Sequence, residues 1–390
     1  MKSTFRSQLA DDLHAASARW GDAIERHGTP VLLFDPGELR RSYCALSSAL
    51  PRVDWHYAVK AQPHPEVVAC LAEVGAYFDV ASMNELHTVL GSGVHAARCL
   101  HSNPHRKRAE IVAAHRAGVR RFVVDSRSEV DKFVGIGASV ELLVRVSTPN
   151  RHANIDLSRK FGAAPEEVEL IVKHALAQGI PVVGLSVHTG SQNESPHSYA
   201  EAVRLCLTII DTVSEAIGVT MTVLDFGGGF PVPYLDEVPV GEEFAAAIDD
   251  AMGDRWQNLT VLAEPGRIVV ASSMTLVSSV VGISQRDGVP WIHLDDGLYG
   301  SYSNVLTEHI TPPILSGSEV FARDGVADRL MVPTTIAGPT CDSLDVIAVG
   351  HPMPAMSVGD LVISPMMGAY TSATATDFNG MPRTPVVRIS

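Results

Sequence analysis

A single lysine, Lys60, has the sequence setting expected of a nucleophilic amine. It follows the short, mostly apolar segment 55–59 and has no acidic neighbour in sequence. Burial at the end of such a strand disfavours the ammonium form, lowers the lysine pKa and favours Schiff-base chemistry. The alternative is an ordinary strand-end lysine whose ammonium reaches solvent. The lysine alone does not decide between these interpretations, so its surroundings must.

The segments around Lys60 predict an α/β fold. Between residues 55 and 265, short apolar segments alternate with helix-like ones such as 65–74, 83–92, 106–117 and 165–178, a pattern typical of a parallel sheet. Eight such units over about 210 residues fit a (β/α)8 TIM-like barrel. The predicted strands are residues 55–59, 77–81, 98–101, 121–124, 142–146, 182–187, 223–226 and 260–263.

A barrel brings the carboxyl ends of its strands to one face, where chemistry occurs. Those ends are polar, charged or glycine: Lys60, Asp79, Asn103, Asp125, Arg145, His188, Gly227–Gly229 and Glu264. Three glycines let backbone N–H groups close on an anion, and Arg267, beyond the eighth strand, adds a forked positive donor. A glycine run by itself is usually only a turn. Together with Arg267, it favours a phosphate site.

A reactive lysine, a phosphate cradle and a carboxylate in one barrel mouth suggest pyridoxal phosphate. Lys60 would hold the aldehyde as an imine. Glu264 would keep the pyridine nitrogen protonated, which makes the ring a strong electron sink. His188 would stack on the ring. The alternatives are a salt-bridged Glu264 and a hydrogen-bonded core His188.

The remaining sequence predicts a second, β-rich domain. Strand-like segments joined by turns cover residues 269–283, 291–295, 329–336, 345–349, 360–363 and 386–389. Near the N-terminus, residues 4–26 are helix-like, and the strand 30–34 is expected to join the C-terminal sheet. We therefore expect an N-terminal segment at 1–36, a barrel at 37–266 and a β domain at 267–390.

Composition excludes several partners. The formal net charge of −14 argues against nucleic acid and anionic membrane as partners. No apolar run reaches the length of about 18 residues that a spanning helix needs, and the polar N-terminus is not a secretory signal. Five scattered cysteines without a C-x-x-C fit a reduced cytoplasm with neither disulfides nor zinc. None of the 16 histidines has a metal-ligand spacing, so no metal is expected.

An ordered set of motifs resembles one enzyme family. It comprises residues 57–61 (YAVKA), 78–82 (FDVAS) with Glu85, 157–162 (LSRKFG), 188–191 (HTGS), 227–231 (GGGFP), 264–267 (EPGR), 295–301 (DDGLYGS), 338–342 (GPTCD) and 367–370 (MGAY). Over nearly its whole length the chain resembles the ornithine/diaminopimelate/arginine decarboxylases, which bind pyridoxal phosphate in an alanine-racemase-like barrel. It is closest to the ornithine decarboxylase branch.

The resemblance implies a role for each site residue. The imine lysine and the residues that support it are Lys60, Asp79, Glu85 and Arg145. The residues against the ring are His188 and Glu264. The phosphate ligands are Ser191, Gly228, Gly229, Arg267 and Tyr370. The residues that reach the site from the partner subunit of a homodimer are Cys341 and Asp342. The substrate amine would displace Lys60, the carboxylate would leave as CO2, and Cys341 or a neighbour would return a proton.

Departures from the family bear on the substrate. Thr307 and Glu308 stand where ornithine decarboxylases carry Tyr-Asp, whose aspartate grips the distal ammonium of the substrate. Residues 298–310 contain no arginine for a distal carboxylate. Glu308 and Asp342 are therefore the expected substrate-binding residues, for a basic L-amino acid with ornithine first and lysine or 2,4-diaminobutyrate next. The polar segment 150–160 is a candidate lid.

Three other functions remain open. The chain could decarboxylate a derivatised amino acid in a specialised pathway. It could be a racemase of the same fold, although such racemases tend to place arginine, not glutamate, at the pyridine nitrogen. It could be an inactive regulator, which predicts the loss of Lys60, Arg267 or Cys341, and all three are present.

Overall fold

The computed structural model describes residues 3–136, 139–150, 153–239, 241–322 and 330–389. Two compact units divide the chain. The barrel unit comprises Arg40–Val232 and Val238–Val269, and the sheet unit comprises Met1–Leu39, Pro233–Glu237 and Val270–Ser390. The sequence predicts domain boundaries at residues 36 and 266 and does not single out Pro233–Glu237, which it places in the barrel.

The strands of the described residues alternate with helices in the first two thirds of the chain. The strands are β1 Val31–Phe34, β2 Val53–Ala58, β3 Tyr77–Val80, β4 Cys99–His101, β5 Arg121–Val124, β6 Glu141–Val146, β7 Ala153–Ile155, β8 Val182–Val187, β9 Ser191–Asn193, β10 Val223–Asp225, β11 Thr260–Ala263, β12 Met274–Arg286, β13 Val289–Leu294, β14 Leu315–Ser316, β15 Val332–Ala337, β16 Val346–Met353, β17 Leu361–Ser364 and β18 Val386–Arg388. The helices are α1 Ser3–Ser17, α2 Gly21–His27, α3 Pro36–Ala49, α4 Pro65–Glu73, α5 Met83–Gly91, α6 Arg108–Ala117, α7 Arg127–Val130, α8 Val168–Ala177, α9 Pro196–Ile217, α10 Gly241–Met252, α11 Arg267–Val270, α12 Ser303–Thr307 and α13 Gly317–Phe321.

The barrel unit confirms the predicted (β/α)8 fold. Its closed parallel barrel runs β2-β3-β4-β5-β6-β8-β10-β11 and back to β2. All eight strands correspond to predicted ones. Buried apolar side chains from five of them pack together: Leu100, Val123, Leu143, Val223 and Leu262. Burial on both faces explains why these strands have nearly continuous apolar sequences.

Polar residues set the ends of the barrel helices. Ser82 Oγ accepts the Glu85 N–H at 3.3 Å before α5, and Ser195 Oγ accepts the Ser198 N–H at 3.2 Å before α9. Each cap satisfies one of the N–H groups that the first turn of a helix leaves without an intrahelical acceptor. Among the described residues, no helix combines the length and apolar character needed to cross a membrane.

The sheet unit confirms that the N-terminal strand joins the C-terminal domain. Its main sheet has the order β14-β17-β12-β13-β15-β16. Strand β1 pairs antiparallel with β12 and parallel with β18, so residues from both ends of the chain meet there. A buried ion pair between Arg6 and Glu319, with N–O distances of 2.6 and 2.8 Å, links α1 to α13.

The predicted strand 269–283 is wrong at its start. Arg267–Val270 form the short helix α11 and Ala271–Ser273 a 3-10 turn, so β12 begins only at Met274 and continues to Arg286. Val269, Val270 and Ala271 are all fully buried. A short apolar run of this kind has no periodicity that distinguishes a buried turn from a buried strand. The predicted start of the strand 329–336, Arg329, lies outside the described residues.

The barrel unit also has a two-stranded sheet that the sequence pattern does not predict. Strand β7 pairs antiparallel with β9, and Ile155 lies opposite Ser191. The candidate lid, residues 150–160, therefore includes a strand that pairs with the segment following His188. Residues 151 and 152 of that candidate lie outside the described part of the chain.

Candidate active site

Lys60 lies in a tight turn rather than at the end of a strand. Strand β2 ends at Ala58, and Val59–Ala61 form a 3-10 turn. Val59 and Ala61, on either side of Lys60, are fully buried. The Tyr57 hydroxyl donates to the carbonyl of Gln62 at 3.1 Å and closes the turn. The Lys60 side chain remains 39% exposed, so the amine is held at the barrel mouth.

Asp79 faces the lysine from the neighbouring strand. Its Oδ2 lies 3.5 Å from Lys60 Nζ, and its side chain is 1% exposed. Its Oδ1 is buried and has no hydrogen-bond partner among the described residues. Close by, Glu85 Oε2 accepts the Ala81 N–H at 2.6 Å, and burial raises the pKa of this glutamate. The amine thus faces a buried carboxylate that orients it.

Arg145, on β6, brings a cation into the same mouth. Its guanidinium lies over the ring of Phe161, 5.1 Å from the ring centre. The next residue, Gly162, donates its N–H to Asp125 at 3.1 Å, which fixes the backbone beside that ring. Burial lowers the pKa of Arg145, while nearby carboxylates, Glu264 first among them, oppose the shift.

His188 follows β8 with a neutral imidazole. Burial, together with the positive charges of Arg145 and Lys60, lowers its pKa well below the usual value. Its Nδ1 lies 3.0 Å from the N–H of Gly190 and accepts it, so the ring hydrogen is assigned to Nε2. A neutral, oriented ring suits stacking against a flat heterocycle.

Gly228 and Gly229 form a cradle that no larger residue can make. A Cβ at Gly228 would lie 2.2 Å from the carbonyl oxygen of Glu264, and one at Gly229 would lie 1.8 Å from that of Gly190. Tyr199, which the sequence does not single out, supports the loop because its buried hydroxyl donates to the Gly228 carbonyl at 3.0 Å. The absence of side chains leaves backbone N–H groups available to an anion.

A cation completes the cradle. Arg267, 4% exposed, donates from Nη2 to Ser191 Oγ at 3.1 Å. Glu264 donates its backbone N–H to the carbonyl of Gly227 at 2.8 Å and so ties the eighth strand end to the seventh. The Arg267 guanidinium, a hydroxyl and a glycine backbone therefore converge on the spot where the sequence predicts phosphate.

Glu264 is a buried carboxyl beside the cradle. Burial raises its pKa well above the usual value, and the charges of Asp225 and Asp79 act in the same direction. Its Oε1 is buried without a hydrogen-bond partner in the described part of the protein. Such an orphaned oxygen fits a ligand that brings its own N–H donor.

The other predicted site residues belong to the sheet unit. The Cys341 thiol is exposed, and its backbone N–H donates to Asn379 Oδ1 at 3.0 Å. Half-buried Asp342 accepts a hydrogen bond from the Tyr299 hydroxyl. Tyr370 has a left-handed backbone with φ of 55°, and Glu308, at the end of α12, is half-buried. The structure brings the barrel residues together, and the contribution of these four stays a prediction.

Two observations bear on other kinds of site. Within the described ranges, no group of three or more His, Cys, Asp or Glu side chains is arranged to hold a metal ion. All five cysteines are free thiols. The barrel mouth instead offers an amine, an anion cradle and a buried carboxyl, which together suit a phosphorylated, nitrogen-containing aldehyde.

Comparison with known proteins identifies similar chains. Residues 36–271 match the family "Pyridoxal-dependent decarboxylase, pyridoxal binding domain". A lysine/ornithine decarboxylase of Selenomonas ruminantium is 35% identical over 93% of this chain and 90% of its own. The crystal structure of a lysine/ornithine decarboxylase from Vibrio vulnificus with putrescine is 39% identical, with a TM-score of 0.88 over 97% of this chain and 98% of its own. The arginine decarboxylase of Paramecium bursaria Chlorella virus is 28% identical, with a TM-score of 0.87 over 94% and 98%.

Proposed function

Because this chain belongs to the pyridoxal-dependent decarboxylases, with pyridoxal phosphate as cofactor, we propose that it decarboxylates a basic L-amino acid, ornithine first. The observation that carries the proposal is the meeting of Lys60, the Gly228–Gly229 cradle and Glu264 at one end of the barrel. The products are CO2 and a diamine. Relatives that act on lysine, ornithine and arginine support the basic class.

The barrel residues fit the cofactor at each of its polar groups. Lys60 Nζ, held beside Asp79, would bind the aldehyde carbon. Arg267 and Ser191, with the glycine backbone, would hold the phosphate, and Tyr370 would add a further contact. When bound, the cofactor supplies an electron sink for the electrons that the departing carboxyl group leaves behind.

Two residues would control the face and the nitrogen of the ring. The neutral imidazole of His188 would lie against the ring without adding charge to it. The orphaned Oε1 of Glu264 would accept a hydrogen bond from the ring nitrogen. A carboxylate there holds the nitrogen proton and strengthens the electron sink. This arrangement favours decarboxylation over racemisation.

We propose that the protonating residue comes from a second copy of the chain. Cys341, an exposed thiol on the sheet unit, would return a proton to Cα after CO2 has left. The neighbouring carboxylate, Asp342, would bind the distal ammonium of the substrate. A two-fold homodimer in which each sheet unit serves the partner's barrel accounts for both roles.

The substrate proposal depends on two carboxylates. Glu308 and Asp342 would form an acidic pocket for the distal ammonium, and a carboxylate left there without a cation is costly, so a substrate lacking the distal amine is rejected. Glu308 is one methylene longer than the family's aspartate, which would shorten the pocket by roughly 1 Å. This favours ornithine or 2,4-diaminobutyrate over lysine. The small Thr307 acts in the opposite direction and leaves space for a bulkier or derivatised amine.

The deciding experiment compares kcat/KM for diaminobutyrate, ornithine, lysine, arginine and diaminopimelate. Glu308→Gln should lower kcat/KM for the preferred diamino acid about 10-fold or more, because it removes one charge-assisted hydrogen bond. Glu66→Gln, an exposed glutamate on α4, is the matched control and should change nothing. Diaminopimelate as the best substrate, or Glu308→Gln without effect, would refute the pocket.

A covalent label tests the role of Lys60 independently of the substrate. Borohydride reduction of the loaded protein should fix pyridoxal phosphate on Lys60, and peptide mass spectrometry locates the adduct. An adduct on any other lysine would contradict the assignment.

We also propose a cytoplasmic location, supported by the five free cysteines, which suit a reducing compartment. Cell fractionation with an antibody against the chain tests it, and recovery from an oxidising compartment would count against it.

A further inference from the structure

Two buried carboxyl groups, Asp225 and Glu264, lie against each other beside the cradle. Asp225 ends β10 and Glu264 follows β11, and these two strands are neighbours in the barrel. Asp225 is fully buried and Glu264 is 6% exposed. Burial raises the pKa of both carboxyl groups; the charge of Asp225 raises that of Glu264 further, whereas a hydrogen bond from Glu264 opposes the rise in the pKa of Asp225. Ionised carboxylates only accept hydrogen bonds, so this contact requires one proton between them.

The hydrogen-bond partners of Asp225 show which carboxyl holds the proton. Ser186 Oγ donates to Asp225 Oδ2 at 2.7 Å, and the Gly227 N–H donates to Oδ1 at 2.9 Å. Both bonds favour the ionised form of Asp225. Glu264 receives no comparable donor from the described residues, and its Oε1 has no partner there. The proton therefore resides on Glu264, which donates it to Asp225 and carries a raised pKa.

Other charges face the pair from neighbouring strand ends. Asp79 adds negative charge near both carboxyls, whereas Lys60 and Arg145 add positive charge. His188, which follows β8, the strand beside β10, is neutral. With one shared proton the pair carries a single negative charge.

We propose that Asp225 is a positioning residue that holds Glu264 through the shared proton, with Oε1 turned toward the ring nitrogen of the cofactor. The proposal rests on the function proposed above. Glu264 faces a protonated ring nitrogen as a carboxylate because the shared proton moves along its hydrogen bond from Glu264 to Asp225. No proton leaves the pair, and the hydrogen bond that orients Glu264 persists in both states.

The first test detects the shared proton in the cofactor-free protein. Infrared difference spectra of wild type against Glu264→Gln should show a protonated carboxyl at neutral pH. Asp225→Asn should move the pH at which this band disappears downward by about one unit or more, because the amide introduced by the substitution donates to an ionised Glu264. A band absent from wild type, or an unmoved midpoint in Asp225→Asn, overturns the proposal.

The second test measures whether Asp225 positions Glu264 toward the ring nitrogen. The probes are pyridoxal phosphate and its 1-deaza analogue, in which a C–H replaces the ring nitrogen. Asp225→Ala should reduce the preference for pyridoxal phosphate about 10-fold, because Glu264 loses its hydrogen-bond partner. Asp225→Asn should retain the preference, because its amide still holds Glu264. If Asp225 had a purely structural role, Asp225→Ala would weaken the binding of both probes equally. That result, or a loss of preference in Asp225→Asn as large as in Asp225→Ala, refutes positioning.

The matched control is Asp35→Asn. Asp35 follows strand β1 in the sheet unit, its side chain is 16% exposed, and it likewise accepts a backbone N–H, from Gly37 at 2.8 Å. The substitution should leave the infrared midpoint and the probe preference unchanged. If Asp225→Ala does not fold, the infrared result still decides. If wild type does not attach pyridoxal phosphate through Lys60, the proposed function fails, while the cofactor-free spectra still report on the pair.

Discussion

Replacing Gly229 by alanine should separate cofactor binding from folding. Gly229 combines a positive φ of 98° with close contact, since a Cβ there would lie 1.8 Å from the Gly190 carbonyl oxygen. Gly93 has a positive φ of 79°, but nothing lies within 4 Å of its Cβ position. Gly93→Ala is therefore the matched control, with the same kind of backbone strain and no collision.

The magnitude follows from the difference between these two glycines. A left-handed backbone costs an L-residue about 1–2 kcal/mol, and this cost applies to both variants. At Gly229 the contact must lengthen from 1.8 to at least 3.0 Å, so backbone must move by about 1.2 Å, at a further cost of about 1–3 kcal/mol. A movement of that size takes an N–H group out of range of the phosphate. Losing one charge-assisted hydrogen bond weakens binding about 10- to 100-fold.

The assay measures the dissociation constant of pyridoxal phosphate by absorbance titration of the dialysed variants. Urea unfolding of the same variants measures their stability. Gly229→Ala should bind the cofactor at least about 10-fold more weakly than Gly93→Ala. Gly229→Ala that binds as tightly as Gly93→Ala would show that the loop does not hold the phosphate through its backbone.

Two further predictions concern assembly and pH. Mixing inactive Lys60→Ala and Cys341→Ala subunits should restore activity through one intact site per heterodimer, and no recovery after subunit exchange would place each site within one chain. Burial lowers the pKa of His56 to about 4. Its neutral form therefore contributes stability that is present above the ordinary histidine pKa and is lost as pH falls from about 6.5 toward 4, by about 2 kcal/mol between pH 6.5 and 5. His56→Asn should remove that part of the pH dependence in urea unfolding, and an unchanged dependence would contradict the prediction.

The sequence by itself determined the barrel and most of its chemistry. Strand–helix alternation and apolar composition are local properties, so all eight barrel strands are readable before any contact is known. Parallel barrel strands present their carboxyl ends at one face, so the sequence alone predicts that Lys60, His188 and Glu264 lie close together. For the same reason, the cradle of Gly228 and Gly229 is visible as a motif.

Tertiary structure alone decided the surroundings of each of these groups. Lys60 lies in a turn between buried residues and not on the strand itself. The apolar run after Arg267 forms a short helix and a turn, because a buried apolar segment can adopt these as well as a strand. The shared proton of Asp225 and Glu264 exists only because β10 and β11 are neighbours and both carboxyls are desolvated. Residues 39 positions apart along the chain, such as Ser186 and Asp225, carry no local sign of their contact. Hydrogen bonding and pKa depend on which groups meet out of water, and only the folded chain sets that.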